Sequence, residues 1–298
     1  MRYLLPAVFV LALSGASDLA AQQKLKVHIS VDMEGIAGVV SPDQLGPSGF
    51  EYQRAREFMT GELLAAIEGA REAGATEILV ADSHGNGQNL LIDRLPADVM
   101  VVRSWPRSLG MMAGLDSSFD AAVFIGYHAS TASLEGVRAH TESSANYAGL
   151  RIDGREVPEG GWNAAIAGHF GVPVVMVSGD DAAVTELRGL LGDIEGAVVK
   201  HPLSFHAAVT MTPQAAQALV RRSVRAGLTR RRDFRPWRRA GPVAVDLTFK
   251  NYRPAQVLAL LPLFVRTTSH AVRFEARDMV QASEIMEFIS GYEPGLAP

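Results

Sequence analysis

The chain has 298 residues, with 28 Lys and Arg against 32 Asp and Glu, a formal net charge of −4, 48% apolar residues and no cysteine. That composition is too apolar for a disordered chain and too near neutral for a general nucleic-acid binder. The lack of cysteine excludes a disulfide framework, a thiolate zinc site and a thiol nucleophile, so any metal must be held by His, Asp or Glu.

Met1-Arg2 precedes an apolar run from Tyr3 to Leu13 broken only by Pro6, and Leu19-Ala20-Ala21 follows before Gln22. This reads as a secretory signal peptide over residues 1–21. The run is shorter than the ~20 residues that span a bilayer. The mature chain is therefore expected to be exported, to the periplasm, with no stable membrane insertion.

Lys26 to Val31 has the β-branched content of a strand, and Phe50 to Ala73 has helical spacing with Phe58, Leu63, Leu64 and Ile67 on one side. Ile78 to Ala81, Ala121 to Gly126 and Val172 to Val177 read as buried strands, with helices over Trp162–Phe170 and Asp181–Leu191. Apolar strands alternating with helices predict a three-layer α/β/α fold around a mostly parallel sheet. This α/β metal-binding catalytic domain is expected over residues 22–200. A smaller α+β C-terminal region is expected over 201–298, with a helix from Pro213 to Arg225, strands over Val243–Phe249 and Ala271–Ala276, and a last helix from about Met279 to Ile289.

The chemistry gathers where the strands end. The first runs into Asp32-Met33-Glu34-Gly35, the second into Asp82-Ser83-His84, the third into Gly126-Tyr127-His128 and the fourth into Ser178-Gly179-Asp180-Asp181. In a parallel sheet these ends share one edge, where open α/β folds bind ligands. Asp32 and Glu34 stand two apart, which on an extended chain aims both carboxylates the same way. Two such charges repel unless a cation lies between them, and Asp, Glu and His without sulfur suit zinc or a similar divalent ion. Strand-end Asp residues are common, and any single one is more often a turn or helix cap than a ligand. Competing motifs are incomplete: Gly85-Asn86-Gly87 lacks a third glycine at Leu90, and Ser83 beside His84 is no serine-hydrolase pattern.

These segments, with Ala139-His140-Thr141 and Pro158-Glu159-Gly160-Gly161-Trp162-Asn163-Ala164, resemble the zinc-dependent D-aminopeptidases associated with bacterial dipeptide-transport operons. The resemblance runs in order from about Lys26 to Lys200 and more thinly beyond. It implies two zinc ions per chain, bridged by Asp32, with Glu34 and His128 on one ion and His84 and Glu159 on the other. It also implies His140 as the active-site histidine, one residue farther from His128 than the family spacing, while Ser143 to Gly149 departs from the family pattern. The implied reaction is hydrolysis of short peptides with N-terminal D-residues, of the D-Ala type, through a metal-bridging hydroxide. The alternatives are a related amidohydrolase acting on L-peptides or small amides, and a non-catalytic peptide-binding protein.

Around these residues Asp82 is a candidate to steer His84, and Asn163 is either a helix-start residue or one that orients substrate. Asp180 suits the cap of the helix that follows, with support of a metal ligand as the alternative. The nine arginines from Arg221 to Arg239 read as a solvated linker or oligomer contact rather than a nucleic-acid surface, since few aromatics interleave them. The resemblance also implies a ring-shaped homo-oligomer around an internal chamber. Trp105, Met111, Met112 and Trp237 stand in weakly patterned segments, as contact or core residues.

Overall fold

The computed structural model describes residues 24–296, so the expected leader lies outside the described residues. The first part of the chain runs β1 (Lys26–Val31), α1 (Tyr52–Glu72), β2 (Glu77–Asp82), β3 (Met100–Val102) and β4 (Ala121–Tyr127). It continues through β5 (Tyr147–Ile152), β6 (Arg155–Glu156), α2 (Glu159–His169), β7 (Val174–Asp180), α3 (Asp181–Leu191), β8 (Glu195–Ser204) and β9 (Ala207–Thr210). The remainder is α4 (Pro213–Thr229), β10 (Val243–Phe249), α5 (Tyr252–Leu258), β11 (Val265–Arg266), β12 (Ala271–Ala276) and α6 (Met279–Leu296).

A seven-stranded sheet has the order β3-β2-β1-β4-β7-β8-β9. Every neighbouring pair is parallel except β8 with β9. β4 and β7 are buried at every position, which is why their sequences are continuous apolar runs rather than alternating ones. Strand order advances one way from β1 to β3 and the other way from β4 to β8, so right-handed crossovers put α1 and α2 on opposite faces. α1 packs on α4, and α3 packs on β7 and β8. The buried stripe of α1 is Tyr52, Ala55, Met59, Leu63, Ala66, Ile67 and Ala70; Phe58 and Leu64 lie at its margin. The reversal of direction between β1 and β4 opens a crevice at their carboxyl ends, the usual ligand position in such sheets.

The second sheet, β11-β12-β10-β5-β6, is antiparallel and carries α5 and α6. Residue 200 falls inside β8 of the large sheet, and β5 and β6 join the small sheet from the earlier part of the chain. The division expected after residue 200 is therefore not a division between sheets. β5 and β6 are joined by Asp153-Gly154, both with positive φ, as a tight primed hairpin turn requires.

Met111 and Met112 are buried, and Trp105 and Trp237 pack partly buried against the core. These four are thus core residues, and apolar exposure falls elsewhere, on side chains such as Leu134, Leu203, Val209 and Leu260. The arginine stretch is laced to acidic neighbours: Arg221 to Glu68 and Glu72, Arg230 to Asp193 and Glu195, Arg239 to Asp153. No helix of the described residues is long and apolar enough to cross a membrane.

Candidate metal centre

The strand ends do meet, but not by continuing straight. β1 stops at Val31, and the chain turns at once: Ile36 N–H donates to Met33 O and Val39 N–H to Ile36 O. Asp32 and Glu34 converge through this turn rather than by alternation along an extended strand. Gly35 N–H donates to the Gly126 carbonyl at 2.7 Å. A Cβ on Gly35 would lie 2.0 Å from Tyr127 O, and one on Gly126, where φ is +73°, would lie 2.3 Å from Asp32 O. Only glycine at both positions lets the Asp32 turn press against the end of β4, which carries His128.

Asp32, Glu34, His84, His128 and Glu159 are all buried, between 1% and 6% exposed. His84 Nε2–H donates to the Leu45 carbonyl at 2.8 Å. That fixes the tautomer and turns the Nδ1 lone pair toward Glu34 Oε2 at 2.8 Å and Asp32 Oδ1 at 3.2 Å. His128 is built the same way, with Nδ1–H donating to Ala129 O. Its Nε2 faces Asp32 Oδ2 at 3.3 Å and Glu159 Oε1 at 3.6 Å. Asp32 Oδ2 and His128 Nε2 are both buried without a hydrogen bond. Their lone pairs converge on common space instead of pairing with each other. An imidazole anchored by one nitrogen to a carbonyl and aimed among carboxylates by the other is the usual arrangement of a metal-ligating histidine.

Direct contacts and donor spacing offer two groupings, of which the set Asp32, Glu34 and His128 is the one that family resemblance implies for one ion. The direct contacts put Glu34 with His84 and Glu159 with His128, and Asp32 turns one oxygen to each pair. Asp32, Glu34 and His128 also fall within 4.8 Å of one another, as do His128, His140 and Glu159, so the two sets adjoin.

Among the protein groups alone, burial and then the Glu34 charge push the Asp32 carboxyl up to about 6. Burial works against protonation of His84 and His128, yet Glu34 and Asp32 raise the first well above its ordinary value, and Glu159 and Asp32 raise the second. The carboxylates draw positive charge into the space between them. Three carboxylates and two imidazoles without sulfur fit zinc or a similar divalent ion.

His140 stacks on His128 with ring centroids 3.9 Å apart and planes 9° from parallel. Its backbone N–H donates to Ala129 O and its Nδ1–H to Arg138 O, leaving Nε2 without a hydrogen bond among the described residues. Burial, then the neighbouring His128, lowers it to about 4, so it is neutral near pH 7. The loop from Ser130 to Ala139 leads into His140, and residues at the start of α3 and along it pin that loop down. Glu186 accepts from Ser130 N–H and Oγ–H, and Asp180 accepts from Val137 N–H while also capping α3 through Ala183 N–H. Asp180 thus caps α3, and its other oxygen holds the loop backbone at Val137 rather than a candidate metal ligand.

Asp82 does not bond His84 directly. It accepts from Asn89 N–H, Leu90 N–H and the Asn89 amide, and Asn89 in turn donates to the His84 carbonyl. α2 begins at Glu159, three residues earlier than the sequence predicts, because Gly160 and Gly161 are helical here: each packs where a Cβ would strike Leu187 or Leu190. Glu159 and Asn163 are therefore four apart on one helix face. Asn163 donates to Tyr127 Oη and Met111 Sδ.

Beside Glu159 opens a cavity of about 640 Å³, lined by Trp105, Met111, Glu142, Trp162, Asn163 and Glu287 among others. Glu142, Glu287, Asn89 and Glu186 carry no motif, and nothing in the chain pattern marks them. Glu142 sits at φ +63°, and its N–H donates to Glu159 Oε2 at 2.6 Å. Burial, then the Glu159 and Glu287 charges, push its carboxyl well above the usual range.

A family model described as D-aminopeptidase, peptidase M55, matches residues 25–288. The chain belongs to the D-aminopeptidase family. It is 34% identical over 266 residues to a D-aminopeptidase of Bacillus subtilis strain 168, covering 88% of this chain and 95% of that one. Among solved structures it matches the zinc-dependent D-aminopeptidase DppA from Bacillus subtilis, described as a self-compartmentalizing protease. The TM-score is 0.86 at 32% identity, over 90% of this chain and 97% of the other. Membership in the D-aminopeptidase family makes this chain a metallo-aminopeptidase, a hydrolase.

Proposed function

We propose that the chain is an exported dinuclear zinc aminopeptidase that removes N-terminal D-residues, D-Ala among them, from short peptides. The observation that carries this reading is the pair of three-donor sets that share Asp32. One set is Asp32 Oδ1, Glu34 and His84, and the other is Asp32 Oδ2, His128 and Glu159. Two divalent ions held there supply Lewis acidity toward a peptide carbonyl and lower the pKa of a water. Neutral His140, with Nε2 unengaged beside this site, takes a proton from the attacking water and returns one to the departing amine.

The acidic cavity favours an aminopeptidase over a general amidohydrolase. Glu142 and Glu287 line it with Glu159, and the Glu142 carboxyl is held against its like-charged neighbours. A peptide's N-terminal ammonium relieves that repulsion. Glu142→Gln keeps the N–H that supports Glu159 and removes only the charge. It is expected to raise KM for free peptides about tenfold, the worth of one charge-assisted hydrogen bond at about 1.5 kcal/mol, with kcat little changed. Steady-state kinetics check this, and an unchanged KM counts against the ammonium contact.

Ring-like assembly has support from apolar side chains on the hairpin that ends the large sheet, Leu203 at 71% and Val209 at 60% exposed, and from the self-compartmentalizing relative. Expressed with its leader in a Gram-negative host, the chain is expected in the periplasm, beginning near Gln22. Material from that fraction is expected to bind zinc, to scatter light as a large oligomer, and to cleave D-Ala peptides faster than their L counterparts and faster than an unfolded protein. Preference for L-peptides overturns the stereochemical part, an unprocessed cytosolic chain the export part, and a monomer the chamber.

A further inference from the structure

Lys200 is among the largest fully buried side chains of the protein, at 1% exposed. It lies in β8, opposite Asp180 on one side and Thr210 on the other. Its three hydrogen bonds all go to main-chain carbonyls of one short loop: Glu34 O, Ile36 O at 3.1 Å and Val39 O at 2.5 Å. An ammonium has three N–H donors, and here each finds a carbonyl of the turn that follows Asp32. The same turn is held from α1 by Glu62, whose Oε1 accepts from Ala37 N–H at 2.9 Å. Ile36 O also accepts from Val39 N–H, but the turn has no regular ladder, and among the described residues Glu34 O and Val39 O have Lys200 as their hydrogen-bond partner.

We propose that Lys200 is a positioning residue for the metal centre, tying down the Glu34–Val39 turn so that the Glu34 carboxylate stays aimed at His84 and Asp32. The proposal rests on the metal-site reading above. A buried cation is costly to place, and an apolar side chain of similar size often serves stability as well or better. The charge also sits behind Glu34, where by Coulomb's law alone it repels an incoming cation. Positioning and electrostatics therefore predict opposite signs. If only the charge matters, removing it tightens metal binding. If the three carbonyl contacts matter, removing them weakens it.

The test is zinc titration of the full-length processed protein, with stoichiometry and affinity read directly, for wild type, Lys200→Met and Lys200→Gln. Lys200→Met is expected to weaken one of two ions by about 10- to 100-fold, the usual effect of losing a supporting partner of a ligand. The second ion, held by His128 and Glu159, is expected to bind as before. Lys200→Gln keeps two N–H donors without the charge and is expected to recover part of the loss. A merely structural lysine would lower the melting temperature and leave the two ions equal. Equal or tighter binding of both ions in Lys200→Met overturns the proposal. Should that variant not fold, the same result in Lys200→Gln overturns it. Absence of zinc binding in the wild type overturns the metal reading itself, a separate outcome.

Discussion

Asp32→Ala is expected to reduce peptide hydrolysis below about one-hundredth of wild type, beyond the 10- to 100-fold cost of losing a ligand's supporting partner, and to lower zinc content more than any other single substitution. The reason is geometric. Oδ1 of this carboxylate faces His84 and Oδ2 faces His128, so its loss takes a donor from both sets. Glu34→Ala or Glu159→Ala removes a donor from one set only and is expected to leave one ion bound. Melting temperature provides a readout independent of activity. An ion that binds only the folded state stabilises it by about 2.7 kcal/mol at a hundred times its dissociation constant. Excess zinc should therefore raise the wild-type melting temperature and barely move that of Asp32→Ala. A variant that still holds two zinc ions per chain would falsify the shared-carboxylate arrangement.

Much of this centre is legible in the sequence because an open parallel sheet delivers strand ends to one edge. Asp32, His84 and His128 needed only three apolar runs to be placed together. What the pattern did not supply was orientation. The pairing of Glu34 with His84 depends on a turn pressed against Gly126, and that depends on glycines whose role appears only when the neighbouring backbone is seen. The start of α2 was obscured for a related reason. Gly160-Gly161 has the look of a helix breaker, yet tight packing on α3 favours residues without side chains. The small sheet was half visible. β10 alternates with its polar face out, whereas β5 is short and opens on a segment without period, marked only by Asp153-Gly154. Lys200, between Val199 and His201, and Glu142, between Thr141 and Ser143, left no trace because single charged residues read as surface, and only tertiary packing reveals them facing inward.

His140 is adjacent to both donor sets, and two roles follow from its position, proton carrier or additional ligand. Its donor atom lies within 4.8 Å of those of His128 and Glu159, near enough for ligation. The stacked geometry argues against that role. Parallel imidazoles with centroids 3.9 Å apart aim their lone pairs side by side, whereas two histidines on one ion converge on it from different directions. In the proposed centre Asp32 and Glu159 would be the co-ligands of His128, a three-donor set that needs no further nitrogen to resemble a catalytic zinc site. As a proton carrier, His140 is well placed: neutral, fixed through Nδ1 to Arg138 O, and with Nε2 unengaged. His140→Gln is therefore expected to lower kcat by about 10²- to 10⁴-fold, the range for a positioned acid/base group, with KM nearly unchanged and both zinc ions retained. Single-turnover rates with metal analysis on the same sample separate the roles. A slow variant that keeps its zinc supports proton transfer, loss of one ion makes His140 a ligand, and an undiminished rate removes it from the reaction.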